Sequence, residues 1–123
     1  MKKALSVNTD FTTEVLDLEP DSYTPLRDAV NGLIQAVDLH HDLTMWCNEE
    51  GKLIGLNPSI IGTYMWEKTF GMTDVIVGNV VFTGGTDDEG ETLGLSPEQL
   101  ADLQKLAAEL RSAYEGAVTV VYE

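Results

Sequence analysis

The sequence is short of cysteine, of positive charge and of long apolar runs, and each shortage closes off a class of function. Cys47 is the one cysteine in 123 residues. No internal disulfide can form, which fits a reducing compartment. Lys and Arg number 7 against 21 Asp and Glu, a net charge of −14. A field of that sign opposes binding to nucleic acid or to an anionic membrane. The seven bases (Lys2, Lys3, Arg27, Lys52, Lys68, Lys105 and Arg111) are scattered and form no stripe, so no direct nucleic-acid contact is expected. The apolar stretch from Val75 to Phe82 is broken by Gly78 and Asn79, whereas a spanning helix needs ~20 apolar residues. Lys2 and Lys3 imitate the start of a secretion signal, but Asn8 and Asp10 interrupt the apolar core of ~7–15 residues that a signal requires. The expectation is a soluble cytoplasmic protein that does not act at a membrane. Phosphate-cradling loops are missing too: Gly84-Gly85 is followed by acids, not by Lys-Ser or Lys-Thr.

What is present suits one α+β domain over residues 1–123, with 43% hydrophobic residues to fill a single core. Ala4 to Val7 and Thr13 to Leu18 alternate apolar and polar, which predicts a hairpin across the turn formers Asn8, Thr9 and Asp10. A helix follows, capped by Asp21, Ser22 or Thr24 and stopped by Asn31-Gly32. Leu33 to Leu39 and Leu43 to Asn48 read as strands around the polar turn His40-His41-Asp42. Asn48 to Lys52 reads as a hairpin turn with Gly51 left-handed, returning through Leu53 and Ile54. Asn57-Pro58 predicts the start of a second helix, ending at Gly71. Val75 to Phe82 suits a buried central strand, bulged at Gly78. Ser96-Pro97-Glu98-Gln99 is a capping box, with Leu95 and Leu100 placed as a hydrophobic staple. Gly116 is the expected stop, and Ala117 to Tyr122 the expected last strand. The sum is a mostly antiparallel sheet with three helices. An exposed edge at Val118, Val120 and Tyr122 would let two copies pair as a homodimer.

Few groupings promise chemistry. Asp87-Asp88-Glu89-Gly90-Glu91 invites a calcium reading, but with Gly90 at the sixth loop position, Gly85 and Ser96 fall where carboxylates belong. The loop reads instead as solvated charge. His40 and His41 are neighbours on an extended segment, so their rings should diverge. With Cys47 the lone soft ligand, no metal site is expected, and no cofactor signature appears. Cys47, His41 and Asp42 can be drawn as a hydrolytic trio, although Cys47 reads first as a small buried hydrophobe. Trp46 alternates with Met45 and Cys47 and belongs to the other sheet face. Trp66 lies near the end of the middle helix; an exposed tryptophan marks a partner surface.

One resemblance spans nearly the whole chain. It rests on Lys3-Ala4-Leu5-Ser6-Val7-Asn8, on Asn31-Gly32-Leu33-Ile34-Gln35-Ala36-Val37, and on Asn48-Glu49-Glu50-Gly51-Lys52-Leu53 with Gly55-Leu56-Asn57-Pro58. It continues through Asp74-Val75-Ile76-Val77-Gly78-Asn79-Val80-Val81 and Leu93-Gly94-Leu95-Ser96. In these the chain resembles a family of phages and mobile elements known as domain of unknown function 3846. The resemblance carries no catalytic residues. It implies an accessory protein in a bacterial host cytoplasm that binds a host protein or blunts a defence.

Composition and resemblance together lead to a non-enzymatic protein that binds a host macromolecule through an acidic surface. Spaced carboxylates can imitate the charge of duplex DNA. The residues expected to carry this are Asp87, Asp88, Glu89 and Glu91, the hairpin tip Glu49 and Glu50, and Trp66. Two alternatives stand beside it. One is a sponge for a signalling nucleotide, using Trp46, Tyr64, Trp66 and the Gly84-Gly85 turn; the other is the Cys47/His41 hydrolase.

Overall fold

The structure is a computed structural model that describes residues 2–122, and side chains as far as residue 116. The alternating segments at the start form the expected hairpin. β1 (Lys3–Val7) and β2 (Thr13–Asp17) pair antiparallel, from Lys3 opposite Asp17 to Val7 opposite Thr13. Asp10 organises the turn by accepting the Thr12 amide at 3.0 Å.

Helix α1 (Tyr23–Val30) owes its start to Asp21, whose carboxylate accepts the amides of Tyr23 at 3.0 Å and Thr24 at 3.2 Å. Ser22 stands at the cap position but makes no side-chain bond there. Asn31 ends the helix left-handed at φ 62°, as its residue type predicts. β3 (Ile34–His40) and β4 (Leu43–Asn48) form a second antiparallel pair.

Helix α2 (Ile60–Phe70) begins later than Asn57-Pro58 suggested. Backbone pairing explains the delay. Pro58 bridges Val77, the Gly78 amide donates to Asn57 O at 2.7 Å, and the Ser59 amide donates to Ile76 O at 2.8 Å. Residues held in such a bridge cannot also be the first helical turn. Ser59 caps instead, accepting from the Gly62 amide at 3.0 Å.

β5 (Val80–Thr83) is the shortest strand, and every residue of it is buried. It is shorter than the Val75 to Phe82 segment because 75–77 makes only the isolated bridge to Pro58. β5 closes the sheet by pairing with both β1 and β4, giving the order β2-β1-β5-β4-β3. Every neighbouring pair is antiparallel. The α+β class is as expected.

The return strand at Leu53 and Ile54 does not form; residues 49–55 are turns. Gly51 is also not left-handed; Gly55 is, at φ 70°. Gly51 is required for another reason: a Cβ there would lie 2.8 Å from Val77 Cγ2.

Helix α3 (Pro97–Tyr122) opens with the capping box intact. Ser96 Oγ accepts the Gln99 amide at 3.0 Å, and Gln99 Oε1 accepts the Ser96 amide at 2.9 Å. The expected last strand is instead the end of this helix, whose side chains lie outside the described residues. A mid-helix glycine costs only about 1 kcal/mol and a β-branched residue a few tenths, so Gly116 and the valines fail to stop a helix already propagating. The homodimer through a C-terminal strand loses its strand; the edges of the sheet are β2 and β3.

Side-chain alternation divides the core in two. Leu5, Val7, Met45, Cys47, Val80 and Phe82 face α2 and α3, meeting Ile61, Leu103 and Ala107. Ala4 and Val81 face α1, meeting Leu18, Leu26 and Val30, with Trp46 packed alongside. Trp46 therefore lies opposite Met45 and Cys47, as their alternation requires. Each large apolar side chain buried this way contributes about 1.5–3 kcal/mol. Among the described residues no helix is long and apolar enough to cross a membrane.

Candidate functional site

The antiparallel order sends the loops to two ends of the sheet, and the candidate residues divide between them. β4 begins beside Asp42 and ends beside Glu49. Its six residues span roughly 17 Å at ~3.3 Å per residue.

At the first end, the β3–β4 turn, the 84–94 loop and the start of α3 meet. A Cβ on Gly84 would lie 2.1 Å from Gly94 O, and one on Gly85 would lie 2.6 Å from His41 O. The loop therefore lies flat against its own return and against the turn. Its base is packed rather than open, while its tip, residues 86–91, is solvated as expected. Thr86 bridges Thr92, and the Asp87 amide donates to Glu91 O at 3.0 Å. Asp87 Oδ1 accepts the amides of both Glu89 and Glu91 at 2.9 Å. Asp87 thus folds the tip, while Asp88, Glu89 and Glu91 stand exposed on it. Gln99 ties in the third element by donating from Nε2 to Asp42 O at 2.9 Å. Glu98 joins the same exposed end. Lys2 donates to Thr92 O at 3.2 Å and brings a positive charge to the base of the hairpin.

The histidines do not diverge. The chain leaves the strand at His40, alternation stops, and the two rings come within 4.1 Å of each other. His40 Nδ1 donates to Asp42 Oδ1 at 2.6 Å, and this bond holds the Asp42 carboxyl below its ordinary range. Ligand atoms of His40, His41 and Asp42 lie within 4.8 Å of one another, all on exposed residues. A cation here would have to displace the existing His40–Asp42 bond, and water would have to supply the fourth ligand of a tetrahedral ion.

At the other end, Asn48 is the anchor. Its Nδ2 donates to Val30 O at 3.0 Å and to Asn31 O at 3.3 Å, while its Oδ1 accepts the Glu50 amide at 2.8 Å. A Cβ on Gly32 would press on this amide at 2.9 Å. Gly78, at φ 81°, lies against Leu56, whose Cδ1 would meet a Cβ at 2.7 Å. The separate motifs Asn31-Gly32, Asn48 to Lys52, Asn57-Pro58 and Val77-Gly78 are therefore parts of one packed corner. Lys52 pairs with Asp74 across the two loops. The Lys52 contact, followed by the Val75 amide, holds the Asp74 carboxyl low.

Glu49 and Glu50 are exposed at this second end, far from the Asp87 loop, so the seven predicted partner-binding residues do not form one surface. Trp66 is half-buried here. Its Nε1 donates to Thr73 Oγ1 at 2.9 Å, and its ring packs on Phe70 at 4.5 Å. It braces the end of α2 more than it faces solvent.

The hydrolytic trio is not assembled. Cys47 pairs with Gln35 and His40 with Leu43, so four strand residues, roughly 13 Å, separate the thiol from the histidine turn. Cys47 is 6% exposed. Burial pushes its thiol up, the Asp74 charge adds to that, and Lys52 opposes it. Nor do the aromatics of the nucleotide alternative share a cavity. Trp46 donates to Thr83 Oγ1 at 2.9 Å on the α1 face, whereas Tyr64 and Trp66 belong to α2. The signal missing from the sequence pattern is the loop pair 49–56 and 71–77, of which Leu53, Ile54 and Val75 to Val77 read as strands.

The sequence model described as "Domain of unknown function (DUF3846)" matches residues 1–108. The chain belongs to this family. No curated protein and no solved structure matches it. The stretch matched to DUF3846 includes every strand, α1, α2 and the capped start of α3.

Proposed function

We propose that this DUF3846 protein works by binding, without chemistry of its own, a basic surface of a host protein at the acidic end of its sheet. The reading rests on one observation. Three separate elements are pinned together there by Gly84, Gly85 and Gln99, and they present Asp42, Asp88, Glu89, Glu91 and Glu98 to solvent. A rigid array of carboxylates loses little freedom on binding, and its charge steers a basic partner toward it. The net charge of −14 favours a protein partner over nucleic acid and is compatible with imitation of DNA charge. The dispersal of Cys47 and His41 supports binding over hydrolysis. The resemblance to phage and mobile-element proteins supports a host protein in the bacterial cytoplasm as target and a role against host defence.

The test is retention of host-lysate proteins on the immobilised domain at rising salt. Three forms are compared: wild type, a tip variant (Asp88→Asn, Glu89→Gln, Glu91→Gln), and a control of equal charge (Glu14→Gln, Asp28→Asn, Glu109→Gln). Wild type and control should hold the same partner and release it as salt screens the contact. The tip variant should lose it. Capture of nothing at low salt, or equal retention by the tip variant, overturns the reading.

A further inference from the structure

The most exposed large apolar side chains of the described residues are Met72 at 87% and Leu53 at 86%. Ile54, Val75 and Phe70 are also exposed. All five belong to the 49–56 turn or to the segment that ends α2 and leads to β5, and Leu53, Met72 and Val75 among them line adjoining hollows at the end of the sheet opposite the acidic hairpin. Two shallow hollows join there. One is lined by Leu53 and Ile76, the other by Met72 and Glu67, and both by Lys52, Asp74 and Val75. The face is therefore continuous, with the Lys52–Asp74 pair across its middle.

It is also built to hold its shape. Asn48 fixes the first loop to α1, and the Pro58–Val77 bridge and the Trp66–Thr73 bond fix the second. Leu53 and Met72 are too exposed to support the core, and they gain nothing from solvent. Gathered on one fixed face, they mark an interaction surface.

The charge around the face selects its occupant. Glu49 and Glu67 line it, Glu50 is exposed next to Glu49 in the same turn, and no ion pair to these three is seen among the described residues. A second copy of the chain would bring another −14 against these acids. A helix with an apolar stripe and Lys or Arg on its flanks matches both the centre and the rim.

We propose that this face docks a basic amphipathic helix of a partner protein. Its apolar stripe lies on Leu53, Met72 and Val75, and its basic flanks meet Glu49, Glu50 and Glu67. The site shares no residue with the acidic end, and it stands or falls separately from the function proposed there.

The probe is a labelled Leu/Lys peptide of about four helical turns, patterned with one apolar face, beside a scrambled isomer of the same composition. Binding is read by fluorescence anisotropy at about 0.15 M salt, where free surface charge is largely screened. The patterned peptide should bind at least about tenfold tighter than the scrambled one, and Leu53→Ser with Met72→Ser should remove about tenfold of that affinity. Both positions are solvent-exposed, so the variant should keep its fold, which an unchanged urea midpoint checks. The tip variant Asp88→Asn, Glu89→Gln, Glu91→Gln should bind the patterned peptide within about twofold of wild type. Equal binding of the two peptides, undiminished binding by the double variant, or no binding of the patterned peptide overturns the proposal. So does a dimer in sedimentation that Leu53→Ser with Met72→Ser dissolves, since the face would then belong to a second copy.

Discussion

The two ends of the sheet use opposite means to hold a surface. The acidic end is built from backbone. Glycines allow carbonyls to approach, Asp87 gathers amides, and Gln99 closes the assembly, so charged side chains are left over for solvent. The apolar end is built from side chains. Asn48, Leu56, Val77 and the Lys52–Asp74 pair wedge two loops together, and aliphatic groups are left over. The difference teaches what an added Cβ meets at each end: a backbone carbonyl at Gly84 and Gly85, a side chain that can give way at Gly32, Gly51 and Gly78.

Gly84→Ala should have the largest effect. Its Cβ would stand 2.1 Å from a backbone oxygen, Gly94 O, which cannot swing away as a side chain would. Relief requires parting the hairpin from its return, at about 3 kcal/mol or more. A urea midpoint should fall accordingly, and loss of the Thr86–Thr92 bridge should appear as faster amide exchange at 86–92. Gly90→Ala, in open space though left-handed, is the gentler comparison. If Gly84→Ala is as stable as Gly90→Ala, the acidic end is not backbone-locked.

Asn48→Ala comes next and attacks the apolar end. It strands Val30 O in a buried position and Asn31 O and the Glu50 amide in part-buried ones, at a cost of about 2 kcal/mol. Asn48→Asp keeps the acceptor for Glu50 and loses both donors, so it should be no better. A loss below about 0.5 kcal/mol for either would show water taking over the amide's role.

The same contrast explains what the sequence could disclose. Local patterns were legible because neighbours in the chain decide them. The β1–β2 alternation, the Asn31 stop and the Ser96–Gln99 box all formed as their residue types dictate. The misreadings came where distant segments decide. Leu53 and Ile54 look like a strand, but β5 takes the place beside β4 and leaves them no partner. Pro58 looks like a first helical residue until Val77 arrives to bridge it. Gly51 looks like a turn glycine, yet it yields room to Val77. The acids were visible as a total, but their division between two ends depends on sheet order, which composition does not encode. For the same reason Cys47 and His41 looked near in sequence although the extended strand separates them.

Asp87→Ala should be milder than either lesion above. It removes the acceptor for two amides at an exposed tip, at about 1 kcal/mol. Asp87→Asn keeps an oxygen in place and should cost less than half of that. Amide exchange at Glu89 and Glu91 separates the two. If Asp87→Ala leaves those amides as protected as in wild type, the tip is held by its backbone pairing, the Asp87 amide to Glu91 O, the Gly90 amide to Asp87 O and the Thr86–Thr92 bridge, without the carboxylate.

The smallest effect concerns titration, and it compares the ends through one carboxylate each. Asp42 is held low first by His40, and Asp74 first by Lys52. A carboxyl depressed in the native state adds stability above its unfolded value, near pH 4, and that stability fades as pH falls through the lower native value. Melting temperature should therefore drop as pH falls below about 4, with Asp10 and Asp21, also held low by hydrogen bonds, adding to the loss. Lys52→Met separates the contributions. Carbon-detected NMR titration should show Asp74 rising toward the ordinary carboxylate range while Asp42 stays where it is. The Val75 amide, which donates to Asp74 at 2.8 Å, remains in the variant and should keep part of the depression. If Asp74 does not move at all, that amide holds the charge by itself, and the ion pair across the apolar face is a passing contact that leaves Lys52 free to be displaced by a docking partner.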